Sequence, residues 1–132
     1  MPIIQNFTLP ETPEAFAKVQ NITTPFFITF IASKDPATNQ PWCPDVRAAL
    51  PVIKATFSAD DAPGLAIVEV GQRNEYKSAS NHYRTTWKMP NVPTLVRYER
   101  KGEKLVEVGR LVEGEILDAG RLQQFVNSLS LA

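Results

Sequence analysis

The chain contains very little sulfur and almost no imidazole: one cysteine, Cys43, and one histidine, His82, among 132 residues. A lone cysteine cannot form a disulfide within the chain, so no covalent cross-link supports the fold, which fits a reducing compartment. One cysteine and one histidine also cannot supply the ligands of a zinc site. We therefore expect neither a metal nor another cofactor, and we expect His82 at the surface.

The sequence also lacks an excess of charge and a long apolar run. Fourteen basic residues balance fourteen acidic ones, and their scatter argues against a nucleic-acid or anionic-membrane footprint. The longest apolar stretch, Phe26 to Ala32 with Thr29 inside it, is far too short to span a bilayer. The first residues show no basic region followed by an apolar one, so no signal peptide is expected. We expect a cytoplasmic protein that binds neither nucleic acid nor membranes.

What the chain does contain is an ordinary globular composition, with 43% hydrophobic and 21% charged residues. This length suits one core, so residues 1–132 are predicted to form a single domain. Periodicity, capping residues and turn formers predict, in chain order, a short strand from Ile3 to Phe7, a helix from Pro13 to Gln20, a strand from Phe26 to Ala32, a loop from Ser33 to Pro41, a helix from Pro44 kinked at Pro51, a strand from Leu65 to Val70, a helix from Asn81 to Trp87, an alternating hairpin from Thr94 to Leu111 turning at Lys101-Gly102, and a helix from Glu115 to Leu129. The prediction is an α/β domain with a mixed sheet of four to five strands and about four helices.

The stretch WCPDV, from Trp42 to Val46, is the one place where the pattern indicates chemistry. Cys43 is predicted at the start of a helix, where free N–H groups and the positive end of the helix dipole stabilise a thiolate. Pro44 fits the first helical turn because its missing N–H costs nothing there. Three residues after Cys43, a second sulfur would lie on the same helical face and would attack a mixed disulfide. That position holds Val46.

The combination of WCPD, Pro51 and Val92-Pro93-Thr94 resembles thioredoxins. The chain is more similar still to small thioredoxin-related proteins with a WCPDC site, the thioredoxin domain-containing protein 17 family. Further similarities to that family are SKD before the site, Val70-Gly71, Tyr76-Lys77 and Tyr83-Arg84. The resemblance runs from about Phe26 to Val108 and implies a thioredoxin-like fold.

The resemblance also implies roles for particular residues. Cys43 takes the place of the nucleophile. The surrounding motif positions are Trp42, Pro44 and Asp45. Pro93 resembles the cis-proline that faces the cysteine in thioredoxins, and the Val92 backbone would pair with an extended substrate. The family reduces disulfides of small molecules and selected proteins with electrons from a thioredoxin reductase, and its resolving cysteine would occupy the position of Val46.

These observations leave more than one function open. In the first, Cys43 attacks a disulfide or accepts glutathione, and an external thiol resolves the mixed disulfide. In the second, the protein is a redox-inactive binding module whose groove beside Pro93 takes an extended peptide. In the third, Cys43 is a redox sensor that forms a sulfenic acid or an intermolecular disulfide. A buried and inert Cys43 is a further alternative.

The expected partners are small-molecule or protein disulfides and thiols, with glutathione and thioredoxin reductase among them. Because Val46 stands where the family has its resolving cysteine, the sequence leaves open whether the protein is an enzyme with turnover. For Asp45, an acidic residue in the first helical turn is favourable without any catalytic role.

Overall fold

The computed structural model describes residues 3–5 and 7–129 of the chain. Its elements are β1 (Ile3–Ile4), α1 (Pro13–Ala17), β2 (Phe26–Ile31), β3 (Lys34–Asp35), β4 (Gln40–Pro41), α2 (Pro44–Phe57), β5 (Gly64–Glu69), α3 (Arg73–Lys77), α4 (His82–Thr85), β6 (Thr94–Lys101), β7 (Lys104–Val112), α5 (Glu113–Ile116) and α6 (Ala119–Asn127). The predicted α/β class is confirmed. Asn6, inside the strand predicted from Ile3 to Phe7, lies outside the described residues, and the single domain over residues 1–132 stays a prediction.

The main sheet has five strands in the order β1-β5-β2-β6-β7. β1 and β2 lie parallel to β5, whereas β6 pairs antiparallel with both β2 and β7. Every residue of β2 is buried, as is typical of a central strand that is covered on both faces. The first six residues of β6 are buried as well. The alternation predicted for this strand is therefore wrong, because it too is covered on both faces.

The long helix α2 packs on this sheet through one apolar face. Its buried residues are Val46, Ala49, Ile53 and Phe57. Spacings of three and four residues place them on a single stripe of the helix. The ring of Phe57 meets that of Phe27 on β2 edge to face, with centroids 5.0 Å apart. Because this stripe is held against the sheet, packing along the length of α2, from Val46 to Phe57, fixes the position of its first turn.

The segment from Ser33 to Pro41, predicted as a loop, contains the two-stranded hairpin β3–β4. Asp35 closes its turn, because the Asp35 carbonyl oxygen accepts from the Asn39 N–H at 2.7 Å and its Oδ1 accepts from the Ala37 N–H at 2.9 Å. Asn39 takes a positive φ of 58°, a conformation that asparagine tolerates better than most residues. The local hydrogen bonds of the turn formers thus organise the whole segment.

Two further differences concern helices. The sequence pattern missed α3, which begins where the Gln72 N–H donates to Glu75 Oε1 at 2.7 Å. The tail predicted as one helix is divided into α5 and α6, because Asp118 Oδ1 accepts from the Arg121 N–H at 3.1 Å and starts a new helix. Within residues 3–5 and 7–129, no helix is long and apolar enough to cross a membrane.

A buried arginine joins the sheet to the end of α6. The Arg97 side chain on β6 has 0% exposure, and its Nε donates to Glu99 Oε2 at 3.0 Å. Its Nη1 donates to the Phe125 carbonyl at 2.8 Å and its Nη2 to the Ser128 carbonyl at 2.6 Å. The last carbonyls of a helix form the negative end of its dipole and favour a cation. Arg97 therefore holds the C-terminal end of α6 against β6.

We expect Arg97→Met to lower the free energy of unfolding by about 3 kcal/mol, because it removes a buried cation and leaves two carbonyls without their donor. Arg121→Met is the matched control, since the Arg121 side chain is 55% exposed beside Glu115. That change is expected to cost less than about 1 kcal/mol. Urea denaturation of both variants measures the difference. Equal losses of stability would contradict a structural role for Arg97.

Candidate active site

Cys43 lies at the N-cap of α2, with an extended backbone of φ −92° and ψ 122°. Its carbonyl oxygen accepts from the Val46 and Arg47 N–H groups at 3.1 Å each, and these bonds begin the helix. Pro44 follows in the first turn, where its fixed φ suits helical backbone. The Val46 side chain is fully buried. The motif thus presents one sulfur at the helix start and an apolar side chain one turn below it.

The Cys43 thiol is half-buried rather than sealed in the core. Within the described residues, its sulfur forms no capping hydrogen bond to the helix backbone. The stabilisation of a Cys43 thiolate by the start of the helix therefore stays a prediction. Instead, Sγ donates to the Val92 carbonyl oxygen across 3.8 Å. In this contact the thiol is the donor and the backbone oxygen is the acceptor.

The segment before β6 forms the wall opposite Cys43. The peptide bond between Val92 and Pro93 is cis. Thr94 Oγ1 donates to the Asn91 carbonyl at 2.7 Å, which closes this segment on itself. Val92 itself is buried, with 7% exposure. The group of this segment that faces the Cys43 sulfur is the Val92 carbonyl oxygen.

Below this wall, Thr29 connects two strands of the sheet. Its side chain is fully buried on β2, and its Oγ1 donates to the Thr94 carbonyl at 3.3 Å. The hydroxyl carries no charge at any ordinary pH. Thr29 therefore links β2 to the start of β6 and offers no carboxylate for proton transfer.

Two aromatic side chains form the next wall. Trp42 Nε1 donates to the Gly71 carbonyl at 2.8 Å, and the Trp42 and Tyr76 ring centroids lie 6.1 Å apart. The Tyr76 hydroxyl donates to the Met89 carbonyl. Burial raises the pKa of Tyr76 above its usual value; the positive charge of Arg84 lowers it, and the charge of Cys43 raises it. The raised pKa keeps the Tyr76 hydroxyl protonated at neutral pH, and a negative charge on Cys43 contributes to the rise.

Between these walls lies a cavity of about 460 Å³. Its lining comes from the segments Trp42 to Pro44 and Pro90 to Val92, and from Arg73, Tyr76, Lys77 and Arg84. The structure thus brings Trp42, Cys43, Pro44 and Val92 together at one opening. Sequence reasoning gave no role to the basic residues here. The spacing of Arg73 and Lys77 was a usable signal, but it points to one surface only once α3 is known.

Asp45, the acidic residue of the motif, interacts with Glu113. It is exposed in the first turn of α2, and a hydrogen bond with Asp45, followed by its negative charge, raises the pKa of Glu113 at the start of α5. Asp45 is not among the described residues that line the cavity. The acidic residue of the motif therefore interacts with α5, which is consistent with a favourable helix-start acid that needs no catalytic role.

We expect Cys43→Ser to lower the pKa of Tyr76, because a serine hydroxyl stays uncharged at the alkaline pH where the phenol ionises. Arg84→Gln is expected to shift the pKa of Tyr76 in the opposite direction, since it removes a favourable positive charge. NMR titration of the tyrosine ring carbons measures both shifts. An unchanged Tyr76 titration in Cys43→Ser would contradict the electrostatic contact between the two side chains.

The chain is similar to known proteins along most of its length. A family model described as "Thioredoxin domain-containing protein 17-like, thioredoxin domain" matches residues 7–118. The chain is 36% identical over 101 residues to a thioredoxin domain-containing protein of Schizosaccharomyces pombe, covering 76% of this chain and 82% of that protein. It is 34% identical over 82 residues to human thioredoxin domain-containing protein 17, covering 61% of this chain and 65% of that protein.

Among solved structures, a thioredoxin of Trichomonas vaginalis superposes with a TM-score of 0.63 over 98% of both chains, at 14% sequence identity. At that identity the likeness concerns the fold alone, and it confirms the predicted thioredoxin-like fold. The family match spans most of the chain, including WCPDV and Val92-Pro93. The chain therefore belongs to the thioredoxin domain-containing protein 17-like family.

Proposed function

We propose that this protein is a monothiol redox protein that performs thiol–disulfide exchange through Cys43. The observation that supports the proposal is the half-buried Cys43 sulfur at the start of α2, beside a cavity of about 460 Å³. A thiolate is the attacking species in such exchange, and the positive end of a helix dipole stabilises it. Cys43 is the nucleophile, and Trp42 and Pro44 shape its surroundings.

The exchange has two steps. The Cys43 thiolate attacks one sulfur of a disulfide R–S–S–R; a bond from Cys43 to that sulfur forms, the old S–S bond breaks, and the other half leaves as a thiolate that takes up a proton. An external thiol R′–SH then attacks the R sulfur of the mixed disulfide as its thiolate. This step releases the Cys43 thiolate and forms R′–S–S–R, so the external thiol supplies the reducing equivalents.

The thiol that performs the second step must come from another molecule, because Cys43 is the only cysteine in the chain. Val46, three residues after Cys43 in the first turn of α2, is buried, and its side chain carries no nucleophilic group. We propose glutathione or another small thiol as the resolving partner and small-molecule or protein disulfides as substrates. Thioredoxin reductase alone would regenerate the protein poorly. A reducing compartment such as the cytoplasm would supply the thiol.

A second candidate is a redox-inactive binding module. It is favoured by the Val92 backbone, whose carbonyl oxygen lies 3.8 Å from the Cys43 sulfur and whose residue lines the cavity. An extended peptide would pair with this backbone by adding a strand-like segment. Such binding would survive Cys43→Ser, whereas exchange would not. A peroxide-induced disulfide dimer on a non-reducing gel would favour the sensor function instead.

We expect wild-type protein to react with glutathione disulfide to form a long-lived mixed disulfide at Cys43, and to show near-background cystine reduction with thioredoxin reductase. Val46→Cys should gain turnover, because a thiol one helical turn from Cys43 attacks the mixed disulfide from within the molecule. The side chains are similar in size, so the cost in unfolding free energy is expected to be about 1 kcal/mol. Mass spectrometry and a coupled cystine assay measure both results.

Val46→Ser serves as the matched control, since a serine side chain is close to cysteine in size and shape but has no nucleophilic sulfur. It should remain as slow as the wild type. Wild-type turnover equal to that of Val46→Cys would mean that the missing second thiol does not limit activity. If wild-type Cys43 forms no mixed disulfide with any tested disulfide, the monothiol proposal fails and the binding module becomes the better account.

A further inference from the structure

The cavity beside Cys43 has an uneven distribution of charge. Three of its lining side chains are basic, namely Arg73, Lys77 and Arg84, and no described lining residue is acidic. Arg73 opens α3 and Lys77 closes it, so they lie four residues apart on one face of a short helix. Like charges at this spacing repel each other. The surface beside the sulfur thus concentrates positive charge although the whole chain has formal net charge +0.

The acidic residue on α3 does not relieve this repulsion. Glu75 turns back to the start of the helix, where its Oε1 accepts from the Gln72 N–H at 2.7 Å. Within residues 3–5 and 7–129, neither Arg73 nor Lys77 forms an ion pair or a side-chain hydrogen bond. Both side chains are exposed at the cavity. Their charges are therefore available to a ligand that enters it.

The third cation has a fixed position. Arg84 Nη1 donates to the Lys77 carbonyl at 3.1 Å and to the Tyr76 carbonyl at 3.5 Å. Its guanidinium carbon lies 5.6 Å from the centroid of the Tyr76 ring. These contacts are to neutral groups, and no carboxylate in the described part of the chain forms an ion pair with Arg84 at the cavity wall.

We propose that this cavity selects small anionic disulfides, whose carboxylate or other acidic group lies against Arg73 and Lys77 while Cys43 attacks the neighbouring sulfur. This inference rests on the exchange chemistry proposed above and names its substrate class. A volume of about 460 Å³ lies within the range of small-molecule sites. Unneutralised cations at the entrance raise the local concentration of an anionic substrate and its rate of encounter. The charges act on binding and orientation, and the bonds formed and broken are those of the first exchange step.

The test uses three symmetric disulfides that share one spacer length and differ in charge: dithiodipropionate, hydroxyethyl disulfide and cystamine. Mass spectrometry follows formation of the mixed disulfide at Cys43 and yields a rate constant for each. The rate with neutral hydroxyethyl disulfide corrects for any change in the reactivity of the sulfur itself. The measured quantity is therefore the ratio of the anionic rate to the neutral rate, at low and high salt.

We expect Arg73→Gln and Lys77→Gln each to lower this ratio by about fivefold at low salt, the effect of losing one charge pair near contact in water. The ratio of the cystamine rate to the neutral rate should rise. Both differences should shrink at high salt, because salt screens exposed charges. Lys104→Gln is the matched control; it removes the same charge from the exposed first residue of β7, next to the end of β6 that lies away from the site, and should leave the ratio unchanged.

Ratios that stay the same in Arg73→Gln and Lys77→Gln, while hydroxyethyl disulfide still reacts, would overturn the anionic selectivity and leave the exchange chemistry standing. An equal fall in Lys104→Gln would overturn it as well, because net charge rather than the cavity would then be responsible. If none of the three disulfides reacts with the wild type, the exchange chemistry itself fails. Arg84 is left intact throughout, since its removal would also take donors from two backbone carbonyls.

Discussion

The site depends on the pairing of β2 with two neighbours at once. β2 lies parallel to β5 on one side and antiparallel to β6 on the other, with Phe30 opposite Thr94. Antiparallel pairing places the end of β2 beside the beginning of β6. The chain that leaves β2 and enters α2 therefore meets the chain that leads into β6. This is why the Cys43 sulfur and the Val92 carbonyl, 49 positions apart in sequence, come within 3.8 Å.

The end of β5 completes the same opening, because the strand runs parallel to β2 and finishes at the same edge. Gly71 follows it with a φ of 107°, a conformation that glycine adopts without strain, and its carbonyl holds the Trp42 indole. The chain then enters α3, which brings two basic side chains to the cavity. The sulfur therefore belongs to the segment after β2 and the basic side chains belong to the segment after β5, and the two segments meet at one edge of the sheet.

β6 contributes to the site at its first residue and to the packing of the fold farther along the strand. Its first residue, Thr94, receives the hydrogen bond from Thr29 beside the site, while Arg97 farther along holds the end of α6. The strand is irregular between Arg97 and Tyr98, where its register with β7 shifts. Arg97 is deeply buried and bonded to fixed carbonyls, whereas Arg73 and Lys77 are exposed on a short helix. Positive charge therefore has a structural role in one place and is available for recognition in the other.

The sequence by itself determined the α/β class, the strand at β2, the helix that begins after Cys43 and the isolation of its sulfur. Those features follow from local patterns: an apolar β-branched run, a proline in a first helical turn and the count of cysteines. Only the tertiary structure decided that Sγ faces the Val92 carbonyl, that Asp45 meets Glu113, that β6 is covered on both faces and that Arg73 and Lys77 line the cavity. These contacts join residues far apart in sequence, and their partners depend on strand order and helix packing, which no local pattern encodes.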